Sequence, residues 1–301
     1  MKRILILLLL LGLITTHAET GANDGARAVN ALGQSLQQYY EGQAQAASPL
    51  PVPGSAPYIP ESLSPSGGAL SSAVIGLDER ETISQTAVYP YSAIGYMSCH
   101  ADCGCHWTGS CFMVGAKCAV TAAHCMVCTT HGNTLDRLEI FFGFQPSGKS
   151  LCHYTKGTVY WYGTDFMQQD GSYQYTWENS LWDYAYIRLE EDVGSRTGWF
   201  GISSQVASGV SNKSEQSYWV TGYRDGIMKS ARAQLELYDP LMFRYDADTE
   251  PGNSGCPVYS SDYYAVGINV STASWDEDVF NCARRFTGDL IREMEADGMF
   301  L

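Results

Sequence analysis

Three short stretches of the chain carry residues that could together break an acyl bond. In Pro251-Gly252-Asn253-Ser254-Gly255-Cys256-Pro257-Val258 a serine stands between glycines in a tight turn, ahead of a strand-like run. A serine hydroxyl is a poor nucleophile: it needs a base to take its proton and donors to receive the developing oxyanion. The glycines let the backbone N–H groups of Gly252 and Ser254 aim at one point. Taken alone, the stretch is equally compatible with an ordinary hairpin turn. In Ala119-Val120-Thr121-Ala122-Ala123-His124-Cys125 a histidine ends a β-like run, a setting that none of the other five histidines shares. In Trp182-Asp183-Tyr184-Ala185-Tyr186-Ile187-Arg188-Leu189 an aspartate opens an alternating strand. A carboxylate there could accept from the imidazole, fix its tautomer and stabilise its charged form. Asp165 and Asp170 are the alternative orienters, in a polar segment that reads as an exposed loop.

Positioning such groups takes a rigid frame, and the chain beyond residue 73 is rich in short runs bounded by turn residues. Strands are expected at 112–120, 138–142, 158–161, 184–189, 218–221, 242–245 and 263–270. A single helix is expected at the end, capped by Thr287 or Asp289 and stopped at Gly298. Residues 1–18 read as a signal peptide, with Lys2 and Arg3 ahead of a Leu/Ile run too short to span a bilayer. Residues 19–73, rich in Gln, Ala, Ser and Pro, cannot bury enough apolar surface to order themselves and read as a disordered propeptide. Residues 74–301 remain as one all-β unit or two small barrels dividing near 195–215. The net charge of −14 argues against nucleic acid or anionic membrane as a partner and fits a soluble monomer outside the cell. Ten cysteines in an exported chain read as a disulfide framework. A zinc site drawn from Cys99, His100, Cys103, Cys105 and His106 is the rival; it lacks paired spacing, and no metal is expected. If each half closes its own bridges, Cys256 pairs with Cys282.

The stretches TAAHC, DYAYIRL and PGNSGCPV resemble the active-site motifs of chymotrypsin-fold serine peptidases, in the same order of His124, Asp183 and Ser254. The run Val74-Ile75-Gly76-Leu77-Asp78-Glu79-Arg80, and Asp248-Thr249 ahead of the serine loop, are similar to the bacterial glutamyl endopeptidase branch. That resemblance implies two six-stranded antiparallel β-barrels with the site between them and a C-terminal helix after the second. It also implies removal of the segment before Val74, no cofactor, and protein or peptide substrates. Asn253 stands where trypsin-like zymogens carry an aspartate, so a salt bridge to a new amino terminus is not available. For specificity the resemblance points to Thr249, and to Asn269 where the branch has a histidine that holds a substrate carboxylate. Asparagine brings hydrogen bonds without a positive charge and weakens a Glu preference. Asp248 raises the contrary reading, a Lys/Arg preference. Cys111 with Cys125 would match the family's bridge beside the catalytic histidine, although the intervening loop is short for it. A catalytically silent relative acting as a binding module is the alternative function; such relatives usually lose a triad residue, and all three are present here.

Overall fold

Alternating runs punctuated by turn residues fold, in the computed structural model, into sixteen strands and two sheets among the described residues. The structure describes residues 54–58, 60, 78, 80–132, 135–154, 159–163, 166, 177–210, 216–275 and 278–300. The signal-like segment 1–18, the run Val74–Leu77 and the alternative orienters Asp165 and Asp170 lie outside them.

After a two-residue strand β1 (Glu81–Thr82), seven strands make the first sheet: β2 (Ile94–Ala101), β3 (His106–Met113), β4 (Cys118–Thr121), β5 (Leu135–Phe142), β6 (Cys152–Tyr154), β7 (Val159–Tyr162) and β8 (Ala185–Arg188). Their order is β6-β5-β2-β3-β4-β8-β7, all neighbours antiparallel. The second sheet adds β9 (Gly201–Ile202), β10 (Tyr218–Arg224), β11 (Ile227–Ala233), β12 (Leu235–Asp239), β13 (Met242–Tyr245), β14 (Pro257–Tyr259), β15 (Tyr264–Trp275) and β16 (Asp278–Arg285). It runs β1-β11-β10-β14-β15-β16-β13-β12, with β9 beside β15 in a parallel pairing. The two sheets curl as antiparallel half-barrels, the chymotrypsin-like arrangement. They count seven and nine strands, two-residue β1 and β9 both belonging to the second.

The run 112–120, expected as one strand, is a hairpin. Val114 N–H donates to the Cys118 carbonyl at 2.9 Å, and the chain turns through Gly115 between β3 and β4. Both faces of a buried hairpin are apolar, so its sequence carries no alternation to mark the turn. The helix Gly288–Ala296 begins as expected: the Thr287 side chain accepts from Leu290 N–H, and Leu290, Ile291 and Met294 are buried. Its Glu293 and Asp297 accept from the hydroxyls of Tyr184 and Tyr186, so the end of the chain braces β8.

Residues 54–58 also depart from expectation. They run extended along 199–202: Gly54 N–H donates to Ile202 O at 3.1 Å, Ile202 N–H to Ser55 O at 2.8 Å, and Tyr58 and Trp199 exchange a pair of bonds at 3.0 Å. The Tyr58 and Trp199 rings stack at 4.3 Å. Two compositional features permit this. Prolines pre-set extended backbone, and Gly201 leaves room, since a Cβ there would meet Pro57 Cδ at 2.6 Å. No helix among the described residues is long and apolar enough to cross a membrane.

Candidate active site

Thr121 pairs with Ala185 in the β4–β8 ladder. Because the strands are antiparallel, the residues following Thr121 and those preceding Ala185 leave the sheet at the same end. His124 therefore sits in a one-turn 3-10 helix (Ala123–Cys125) facing Asp183. The His124 Nδ1 to Asp183 Oδ2 distance is 2.6 Å, and the His124 backbone N–H donates to Asp183 Oδ1 at 3.0 Å. Asp183 is fully buried and His124 partly exposed. Facing a carboxylate, Nδ1 carries the proton and Nε2 is left to accept. Burial pushes the imidazole pKa down, but the Asp183 charge and hydrogen bond, with Cys125 alongside, outweigh it and hold His124 well above its ordinary value.

Ser254 lies in the turn entering β14 and is partly exposed. A residue of the other sheet fixes this turn: Ser110, on β3, donates Oγ–H to Gly252 O at 2.8 Å and backbone N–H to Ser254 O at 2.8 Å. Its Oγ also accepts from Tyr223 N–H at 2.9 Å, and Thr121 donates to Ser110 O at 2.7 Å. The Cys125 thiol reaches Ser254 O at 3.6 Å, so the His124 turn and the serine turn touch. Gly252 adopts a φ of +103°, and a Cβ there would come within 2.8 Å of Tyr223 O; any other residue would distort the turn. Asn253 N–H and Gly255 N–H go to Glu250 O and Asn269 O. Asn253 itself is buried, accepting from Glu250 N–H at 2.8 Å. Arg80 adds a contact from the N-terminal side, reaching Asn253 Oδ1 at 3.4 Å and Glu250 Oε2 at 2.6 Å. The links from Ser110 and Arg80 to this turn carry no sequence signal, since these partners lie 142 and 173 residues away.

The residues read as substrate-binding are arranged less simply. Asn269 is buried and engaged at both ends of its amide: Oδ1 accepts from Tyr245 OH at 2.5 Å, and Nδ2 donates to Asn253 O at 3.1 Å. Thr249 donates its hydroxyl to Asn281 Oδ1 at 2.9 Å, while Asn281 Nδ2 donates to Ala247 O. Asp248 is exposed. An acid serving a Lys/Arg pocket acts strongly only when sequestered from water. The group around Thr249 and Asn269 is therefore neutral and internally hydrogen-bonded, and it includes Tyr245 and Asn281, which sequence reading missed.

The expected bridges are not formed: all ten cysteines are free, with Cys111, Cys125, Cys256 and Cys282 buried. The position over the Cys125 sulfur is occupied by Gly109, whose Cβ would meet it at 2.7 Å, whereas Cys111, two residues on, lies over Gly95. Cys256 precedes β14 and Cys282 lies on β16, with β15 between them. Two strand spacings amount to about 10 Å, beyond the roughly 7 Å that a bridged Cα pair spans.

No protein-family model matches the chain. Among curated proteins, the glutamyl endopeptidase of Bacillus licheniformis is 29% identical over 190 residues, 62% of this chain and 54% of its own length. The chain thus spans about half the length of that relative. A Bacillus subtilis protein named extracellular metalloprotease is 29% identical over 240 residues, covering 74% of this chain and 69% of its own. Among solved structures, a Glu endopeptidase superposes with a TM-score of 0.61 at 18% identity, over 75% of this chain and 99% of that one. Protease Anisep from Arthrobacter nicotinovorans gives a TM-score of 0.50 at 15% identity, over 68% and 94%. The chain is a homologue of glutamyl endopeptidase and carries the two-barrel fold of the chymotrypsin-like serine proteases.

Proposed function

We propose that the chain is a secreted serine endopeptidase made as a precursor, with Ser254 as nucleophile, His124 as general base and acid, and Asp183 as the carboxylate that orients and charges the imidazole. The observation that carries this reading is the 2.6 Å pairing of a buried Asp183 with His124, beside a serine turn that contacts the residue following His124. His124 Nε2 takes the Ser254 proton as Oγ attacks the scissile carbonyl, then returns it to the leaving amine; water repeats the sequence to free the acyl group. The N–H groups of Gly252 and Ser254 receive the oxyanion, a contribution of about 3 kcal/mol per donor in related sites.

The same reading extends to maturation and substrate. Cleavage near Val74 would leave Arg80 a few residues inside the new terminus, in contact with the nucleophile turn through Asn253 and Glu250. This couples the order of that turn to the start of the mature chain without a buried aspartate. The segment before the cut is held along 199–202 and is released only when those backbone bonds open. The relatives' names support protein or peptide substrates outside the cell. The neutral group of Thr249, Asn269, Tyr245 and Asn281 favours a polar side chain at the cleaved bond, with no cation to reward a full negative charge.

A fluorophosphonate probe tests the reading. Mature protein should be labelled on Ser254, and Ser254→Ala should remove both the label and about 10^6-fold of kcat. A well-folded mature protein with an unreactive serine would instead be the silent binding module.

A further inference from the structure

Away from the catalytic groups, two loops bring four metal-binding side chains to one point. The turn between β2 and β3 presents Cys103 and Cys105 on either side of Gly104. The chain leaving the His124 turn presents Cys128 and His131, in a tight turn closed by Gly132 N–H to Cys128 O at 2.7 Å. The three sulfurs and a ring nitrogen lie within 4.8 Å of one another. His131 Nδ1 is 3.4 Å from Cys105 Sγ and 3.6 Å from Cys128 Sγ. A tetrahedral zinc with Zn–S of about 2.3 Å and Zn–N of about 2.0 Å has S···N edges of about 3.5 Å and S···S edges of about 3.8 Å. The two sulfur–nitrogen separations match those edges, the remaining ligand atoms fall within the same 4.8 Å, and none of the three sulfurs is joined in a disulfide. Three thiols are also an odd number, so any bridge among them would strand one beside the imidazole.

We propose that Cys103, Cys105, Cys128 and His131 bind a structural zinc ion. Four protein ligands close the shell and leave no position for water or substrate, so the ion holds structure and does not take part in hydrolysis. What it holds is the exit from the catalytic turn. Cys128 lies four residues beyond His124, and Trp107, from the same hairpin as Cys103 and Cys105, donates Nε1–H to Cys125 O at 3.1 Å. The ion would fasten that hairpin to the loop that fixes the His124 backbone. Of the residues that sequence alone offers as zinc ligands, Cys99, His100, Cys103, Cys105 and His106, only Cys103 and Cys105 join this group. In the structure Cys99 is buried elsewhere, and His100 and His106 face each other across β2 and β3.

The test uses the full chain with Ser254→Ala, which cannot digest itself, so the outcome is independent of the proposed catalysis. Elemental analysis should find one zinc per chain. Refolding with Co²⁺ in its place should give the sulfur-to-cobalt charge-transfer and tetrahedral ligand-field bands of a thiolate site. His131→Ala and Cys128→Ser should each weaken zinc at least a hundredfold in chelator competition. A chain without zinc whose non-reduced peptide map joins any two of Cys103, Cys105 and Cys128 overturns the proposal, as does zinc held with unchanged affinity by both variants. Should the variants fail to fold, the cobalt spectrum of the parent decides, and absence of the charge-transfer band rejects the site.

Discussion

Two groups of hydrogen-bonded polar residues flank the serine turn, and they satisfy themselves in opposite ways. On the first sheet, Asp183 is buried as a carboxylate whose two oxygens both go to His124, one to the ring and one to the backbone. On the second, Asn269, Tyr245, Thr249 and Asn281 are neutral, and their hydrogen bonds run to one another and to backbone carbonyls. A buried charge is tolerated only with a partner and biases whatever stands next to it; a closed set of neutral groups costs less and exerts little field. In the proposed reading the first arrangement serves a reaction in which charge develops, and the second sorts side chains by shape and hydrogen bonding.

The sharpest way to break this contrast is to neutralise its charged side. Asp183→Asn keeps the shape but offers a donor where His124 needs an acceptor, so kcat should fall about 10^4-fold. It should also reverse the bias on the imidazole. In the wild type His124 is held above its ordinary pKa of about 6.5, so kcat/KM rises with pH through that higher value as the base is freed. In the variant only Cys125 still opposes burial, and the acid limb should move to lower pH. Stability follows the matching sign: with the folded pKa raised, protonation of His124 stabilises the fold below the unfolded pKa, and this contribution is lost as pH rises through the folded value. A pH–rate profile of both proteins checks it; an unmoved acid limb would mean that Asp183 does not charge His124.

The converse experiment places charge on the neutral side. Wild-type protein should cleave after Gln about as readily as after Glu, since Thr249 and Asn269, the residues proposed to meet the bound side chain, are neutral. Asn269→His, next to Tyr245, should raise the Glu-to-Gln ratio by roughly 10- to 100-fold below neutral pH, the value of about one charge-assisted hydrogen bond. A ratio that stays flat in paired-peptide assays would show that residue 269 does not face the substrate.

How readable each side is from sequence follows from the same difference. His124, Asp183 and Ser254 each sit in a contiguous motif, because the chemistry demands one residue type on one local backbone shape. Gly252, for example, is required by a φ of +103°. The neutral group is assembled across β13, β15 and β16, and Asn281 and Tyr245 are recruited by sheet register alone, the two being cross-strand partners. Nothing local marks them. The same holds for Gly109 and Cys111, where a shift of two residues along β3 separates a sulfur that would reach Cys125 from one that does not. The strands that escaped sequence reading, such as β2 and β11, have partners on both sides and carry small or polar residues, Gly95 and Ser98 in one and Lys229 and Ser230 in the other, in place of a run of β-branched and aromatic side chains.

The smallest effect separates the two sides from their shared support. Arg80 touches neither neutral group nor triad; its side chain is nearly covered, and it reaches the serine turn through Asn253 Oδ1 and Glu250 Oε2. Glu250 keeps a second cation, Arg224 at 2.5 Å, and Asp78, which Arg80 also binds, keeps Lys229 at 2.8 Å, so Arg80→Ala leaves no unpaired charge behind. The loss is then that of one or two charge-assisted bonds to a loop also held by Ser110, and kcat/KM should fall only about 3- to 10-fold. Because the turn serves every substrate alike, the Glu-to-Gln ratio and the acid limb should both stay where they were. A change in the ratio would place Arg80 in the substrate's field, and a shift in the acid limb would place it in that of His124; either would replace its role as a brace on the nucleophile turn with a direct electrostatic one.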